Sequence, residues 1–275
     1  MKKLVVSIVL LLLGLLYASD LFMLMHCGDI HKVAQAINAG ADVHAKNEDG
    51  FSVFWEAMRI AADDSYGYDV LELLVTSGII IDDEIIYDRY YAGGISPLAA
   101  AVMGEFEADE ELLKYPLSTW LVENGADADV RGEEGIPLFL FPIASSSPEF
   151  FTLLIQSGAH VNARFENGMN ALSFILSEAI ASEINIELFE MLIDAGINID
   201  AKDMYGKTPL MYAAENDSCE VLSLLLQSGA DVITRDNDGE TAFDYAQDND
   251  DIYGTKEFWQ LCNAHYEGIE KSWKQ

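Results

Sequence analysis

A glycine that returns at a nearly fixed interval constrains this chain more than any other feature. It stands at Gly40, Gly78, Gly125, Gly158, Gly196 and Gly229, with spacings of 38, 47, 33, 38 and 33 residues, in the contexts G-A-D, G-I-I, G-A-D, G-A-H, G-I-N and G-A-D. Ten residues after five of these comes a second glycine, at Gly50, Gly135, Gly168, Gly206 and Gly239, and only the gap from Gly78 to Gly94 is longer. Such a period means stacked supersecondary units, none of which can bury its apolar face alone.

The clearest copy runs from Asp203 to Asp236. Thr208-Pro209 supplies a capping hydroxyl followed by a proline suited to the first helical turn, so a helix begins there. Leu210, Ala213 and Ala214 give that helix a narrow apolar face of small residues. Val221, Leu222, Leu224, Leu225 and Leu226 give a second helix a broader stripe at helical spacing. Gly229 ends it, because the exit needs a positive φ angle.

These features resemble the ankyrin repeat, a 33-residue unit of β-turn plus two helices. The resemblance rests on G-A-D-V-H-A-K at Gly40, G-A-D-A-D-V at Gly125, G-A-H-V-N-A-R at Gly158, G-I-N-I-D-A-K-D-M-Y-G-K-T-P-L at Gly196 and G-A-D-V-I-T-R-D-N-D-G-E-T-A at Gly229. It implies an all-α solenoid of about seven helix-turn-helix repeats with short hairpin fingers, with approximate bounds 20–47, 48–82, 83–130, 131–164, 165–203, 204–236 and 237–275. Several copies depart from the pattern. Phe51-Ser52-Val53-Phe54-Trp55 replaces the Thr-Pro start of the second, and an insertion follows at Asp63-Asp64-Ser65-Tyr66-Gly67, so its second helix is expected at Val70–Thr76. The third is lengthened over 79–93 and again over 105–114. The fourth has Pro137 one residue early and Pro142 and Pro148 nearby, which predicts distortion. The fifth, Asn170-Ala171-Leu172-Ser173, lacks proline. A closing helix is expected from about Lys256 to Tyr266, with Gln260, Asn263 and Glu267 through Gln275 available to its outer face.

Met1–Ser19 reads as an export signal: Lys2-Lys3, an apolar run from Leu4 to Leu16, then Tyr17-Ala18-Ser19. The apolar run spans about 20 Å as a helix, short of the roughly 30 Å hydrocarbon core. The segment implies a periplasmic or secreted protein of a bacterial envelope, with an uncleaved membrane anchor as the competing reading.

The sequence has no catalytic motif. None of the fingers has a phosphate-loop or dinucleotide glycine pattern. Asp236-Asn237-Asp238-Gly239-Glu240 lacks the ligand spacing of a calcium loop and reads as a finger tip. The five histidines form no metal pair, and neither a metal nor a cofactor is expected. Cys27, Cys219 and Cys262 do not form a disulfide framework; Cys219 and Cys262 are staggered by nearly two helical turns. With 47 acidic against 15 basic residues the net charge is −32. Phosphate contacts need Lys and Arg, so nucleic acid is disfavoured and a cationic protein is favoured.

The ankyrin resemblance implies non-catalytic binding of another macromolecule by a monomer, along the face made by finger tips and first helices. Matching positions place Glu48, Asp49 and Phe51, Glu133, Glu134 and Ile136, Glu166, Asn167 and Met169, Tyr205 and Lys207, and Asn237, Asp238 and Glu240 on that face. Tyr87, Tyr90 and Tyr91 in the long insertion add a candidate aromatic contact, since aromatics dominate interface hot spots. A structural or divalent-cation-buffering envelope protein is the alternative. Membrane contact is expected only through residues 1–19, if uncleaved.

Overall fold

A threonine or serine hydroxyl opens the first helix of a repeat, as the sequence requires. Thr208 Oγ1 accepts from the Met211 N–H, Thr241 Oγ1 from the Asp244 N–H, Ser96 Oγ from Ala99 and Ser52 Oγ from Trp55. Where the Thr-Pro start is missing, Asn170 takes over: its Oδ1 accepts from the Ser173 N–H and its Nδ2 donates to the Asn198 carbonyl at 2.8 Å. Each cap satisfies an orphan donor and is worth about 1 kcal/mol.

In the computed structural model the described residues are 21–83, 94–103, 116–131, 135–141, 147–165, 167–177, 186–216 and 218–273. The insertion tyrosines Tyr87, Tyr90 and Tyr91, the finger residues Glu133, Glu134 and Glu166, and the export segment lie outside them. Among the described residues the chain is helical and contains no β-strand; the fingers contribute only the isolated bridges Lys46–Ser52 and Arg131–Pro137. No helix among them is long and apolar enough to cross a membrane.

The chain divides into two compact units, Met1–Ala159 and His160–Gln275. In unit 1, residues 21–26 are helical and are followed by α1 (Ile30–Asn38), α2 (Val53–Asp63), α3 (Tyr66–Thr76), α4 (Pro97–Val102), α5 (Pro116–Glu123) and α6 (Pro148–Gln156). Helix α3 packs on α1 and α2, and α5 on α2, α4 and α6. Phe54, Met58, Leu71, Leu74, Leu98, Leu121, Phe139 and Leu154 are almost wholly buried between them.

Unit 2 holds α7 (Ala171–Ser177), α8 (Ile186–Asp194), α9 (Pro209–Glu215), α10 (Cys219–Gln227), α11 (Ala242–Asp248) and α12 (Lys256–Trp273). First helices stack as α7–α9–α11 and second helices as α8–α10–α12. Phe189, Leu192, Leu210, Ala213, Leu222, Leu225 and Leu261 form the buried seam. A fully buried Leu contributes about 1.5–3 kcal/mol over an exposed one.

The exit glycines share one hydrogen-bond pattern. After Gly229, at φ +86°, the Ala230 N–H reaches back to the Leu225 carbonyl at 3.0 Å, which closes the helix through a left-handed residue. Equivalent bonds join Ala41 to Ala36, Ile79 to Leu74, Ala126 to Leu121, Ala159 to Leu154 and Ile197 to Leu192. The residue after each glycine is buried, which explains why it is always Ala or Ile.

Two sequence expectations need correction. The Asp63–Gly67 insertion is not a loop: α2 runs to Asp63 and α3 starts at Tyr66 rather than Val70, so the extra residues lengthen both helices. Gly67 makes this possible, since a Cβ there would lie 2.1 Å from the Ala61 nitrogen. The closing helix continues past Tyr266 to Trp273. Its Gly268 lies against Val232 and Ile233, and His265 is buried, stacked on Phe243 with Nδ1 3.1 Å from the Val232 carbonyl oxygen. Gln260, Asn263 and Glu267 are exposed, as the sequence implied. All three cysteines are free.

Candidate binding surface

Three of the described finger tips are tied by the side chain of their own Asp or Asn. Asp203 Oδ1 accepts from the N–H groups of Tyr205 and Lys207, at 2.9 and 2.8 Å, and Asp236 Oδ1 accepts from Asp238 and Glu240, both at 2.9 Å. Asn47 Oδ1 does the same for Asp49 and Phe51 in unit 1. Basic residues brace the same turns: Arg131 donates to the Gly135 carbonyl, Arg164 to Gly168 and Lys202, Lys202 to Arg235, and Arg235 to Gly239. Four of the chain's 15 Lys and Arg residues therefore hold backbone.

In unit 2 successive fingers are also joined to one another. The Met204 N–H donates to the Asn167 carbonyl, the Asn237 N–H to Tyr205, both at 3.0 Å, and Asn237 Nδ2 to Met204. Such close stacking requires glycine at the tip, because a Cβ on Gly206 would sit 2.8 Å from Asn237 Oδ1. Below the tips, the exit loops are tied in series: Asn162 Oδ1 accepts from the Asn198 N–H and Asp200 Oδ1 from Asp231, while in unit 1 Asp82 accepts from Asp127. Part of the acidity is therefore structural.

On this rigid edge Met204 and Tyr205 are 61% and 58% exposed. Asp238 and Glu240 are exposed beside them. Lys207 turns inward over the rings of Tyr212, at 5.3 Å from its centroid, and Tyr245, at 4.4 Å, and its ammonium meets Glu215 Oε2 at 2.7 Å. Both phenols are anchored from below: the Tyr212 O–H donates to Asp203 Oδ2 at 2.7 Å and the Tyr245 O–H to Asp236 Oδ2 at 2.6 Å. Burial, then the bond to a carboxylate, pushes both tyrosines well above the ordinary phenol range. Burial would raise Asp236, but the Tyr245 hydroxyl and the turn N–H groups outweigh it and hold that carboxyl below its usual value.

The sequence-derived candidates fare unevenly. Tyr205, Asp238 and Glu240 are exposed on the unit 2 edge, and Lys207 is beside them but engaged. Asn167 Oδ1 accepts from the Met169 N–H within its own finger, and Asn237 Nδ2 donates to the Met204 carbonyl of the neighbouring one. Met169 is a correction: it is buried, with Ser177 Oγ 3.6 Å from its sulfur, so it belongs to the core. In unit 1 Glu48 and Asp49 are exposed, Phe51 is half-buried and stacked on Trp55 at 5.9 Å, and Ile136 is half-buried. Sequence reasoning missed Tyr212, Tyr245 and Glu215. The signal available was position: Tyr212 and Tyr245 each stand four residues past a capping threonine. Among the described residues there is no cluster of His, Cys, Asp and Glu able to hold a metal.

A family model described as ankyrin repeats, in three copies, matches residues 142–236 and 176–257. Over residues 142–257 the chain is similar to ankyrin repeats. Such repeats are protein-interaction modules, and the all-helical fold of the described residues is that of an ankyrin-repeat solenoid. The chain is similar to an intracellular phospholipase A2 of Caenorhabditis elegans, 32% identical over 103 residues, covering 36% of this chain and 10% of that protein. It is also similar to a putative ankyrin repeat protein of Rickettsia bellii (strain RML369-C), 31% identical over 74 residues, covering 27% of this chain and 10% of that protein. The chain thus spans about a tenth of the length of the curated relatives it matches.

Proposed function

We propose that the chain is a non-catalytic, monomeric binding module, delivered to the periplasm or outside the cell by its first 19 residues, that holds a basic partner protein. The observation that carries this reading is the finger edge of unit 2. Met204 and Tyr205 stand exposed on turns whose backbone is bonded to both neighbouring fingers, so two apolar anchors are presented without further ordering cost. Asp238 and Glu240 flank them, and the chain carries −32 overall, which steers a cationic surface toward the edge. Apolar anchors within a charged rim match the general anatomy of a protein interface.

Affinity capture from an envelope fraction tests it, with the wild-type chain compared against the double variant Met204→Ser/Tyr205→Ser. A basic protein retained by the wild type at low salt, released at high salt and lost with the double variant supports the reading. Equal retention by both proteins, or retention of a partner with no basic surface, sinks it. Fractionation tests delivery: a full-length cytosolic product that retains Met1–Ser19 would contradict export.

A further inference from the structure

The inner face of unit 2 contains a slot built for a cation. Tyr212 and Tyr245, on successive first helices α9 and α11, present ring faces to one point. The half-exposed carboxylate of Glu215 meets the same point. Aromatic faces and a carboxylate are together the groups that recognise a guanidinium or ammonium. The rings are held before any ligand arrives, because their hydroxyls are fixed to Asp203 and Asp236, which also tie the finger turns. Lys207 fills the slot, with its side chain 17% exposed. It belongs to the finger turn and follows the exposed Tyr205 by two residues.

We propose that this slot receives an arginine of the basic partner, and that Lys207 occupies it in the free protein as a tethered competitor. The inference rests on the reading of the chain as a binder of basic proteins and specifies where that binding is anchored. An arginine suits the slot better than the resident lysine. Its guanidinium is planar, less strongly hydrated, and can stack on a ring while donating to Glu215. When it enters, Lys207 swings out, and the local charge balance is conserved. Tethering makes the lysine present at high effective concentration, so the slot disfavours single small cations and admits an arginine best from a multivalent ligand that is also held by the acidic finger edge. Lys207 thereby sets a threshold that an acidic chain otherwise lacks, since a bare field of carboxylates attracts any polycation.

The test uses the full chain and hexa-arginine as the probe, titrated at low salt. Lys207→Met keeps the stem and removes the competitor, and should bind the peptide about tenfold more tightly. Lys271→Met makes the same change in net charge on an exposed part of α12, and should alter affinity less than twofold. In the Lys207→Met background, Tyr245→Phe retains the ring and the tighter binding, whereas Tyr245→Leu returns affinity to the wild-type level or below. In the wild-type chain the Lys207 ε-protons should resonate upfield from ring currents and lose that shift when the peptide is added. Equal affinities for the wild type and Lys207→Met, equal losses in the Phe and Leu variants, or an ε-proton shift that peptide leaves unchanged would each overturn the proposal while the basic-partner reading stands. If hexa-arginine binds none of the proteins, both fall.

Discussion

Units 1 and 2 answer the same structural question in opposite ways. Four residues past the helix cap, unit 2 places Tyr212 and Tyr245, neutral groups whose hydroxyls donate to aspartates beneath them. At the same position unit 1 places Glu56, a carboxylate that is 7% exposed and holds two basic side chains on Oε1: Arg59 Nη2 at 2.7 Å and His26 Nε2 at 2.8 Å. The turn after the first helix differs too. In unit 2, Asn216 Nδ2 donates to the Leu176 carbonyl and Asn249 Nδ2 to those of Ala214 and Glu215, so α7 and α9 have C-terminal carbonyls satisfied by the next repeat. In unit 1, α2 and α3 are joined by two residues and approach directly over Gly67. Polar stitching between repeats preserves a regular period, whereas a local glycine contact permits insertions. The ankyrin match, over residues 142–257, covers most of unit 2 and only the end of unit 1.

The largest expected effect tests the glycine contact. Gly67→Ala places a Cβ within 2.1 Å of backbone and should destabilise by about 3 kcal/mol or more, as urea melts would show. Gly229→Ala meets open space and strains only a positive φ, so it should cost about 1 kcal/mol. A similar loss at both positions would remove the distinction between contact and stitching.

Asn249→Ala comes next. It strips two hydrogen bonds from the end of α9 and should cost about 1–2 kcal/mol. Local opening measured by hydrogen exchange should be confined to unit 2. Glu56→Gln should cost about 1 kcal/mol, toward the lower end for a buried carboxylate because Arg59 and His26 remain half in solvent and can rehydrate.

The smallest effects concern pH. The raised tyrosines mean that the unfolded chain loses phenolic protons near pH 10 while the folded chain keeps them, so stability is full below that pH and falls as pH rises beyond it. Paired Tyr212→Phe and Tyr245→Phe changes should flatten the alkaline limb. Asp236 is lowered when folded, so its contribution is present above about pH 4, near the ordinary carboxyl value, and fades as pH drops through the folded pKa. Asp236→Asn should flatten part of the acid limb and, by removing the carboxylate that helps to raise Tyr245, part of the alkaline limb as well.

The period of the exit glycines and the Thr-Pro starts made the helical repeat legible, because both mark backbone conformations that few residues adopt. Insertions were harder. Asp63 to Gly67 contains the residues of a loop, yet only Asp64 and Ser65 lie outside helix, and only the folded chain reveals that Gly67 lies on Ala61. Position within a finger did not fix exposure: Tyr205, Asp238 and Glu240 are exposed, whereas Met169 is buried with Ser177 Oγ 3.6 Å from its sulfur. The tyrosine slot escaped for a related reason: it joins two repeats, and a repeat-by-repeat reading compares equivalent positions without bringing neighbours together.

The most direct measurement is amide hydrogen exchange of the full chain with and without hexa-arginine at low and high salt. The account predicts salt-sensitive protection concentrated at residues 203–207 and 236–240, with unit 1 unchanged. Protection confined to unit 1, or spread evenly over both units, would contradict it.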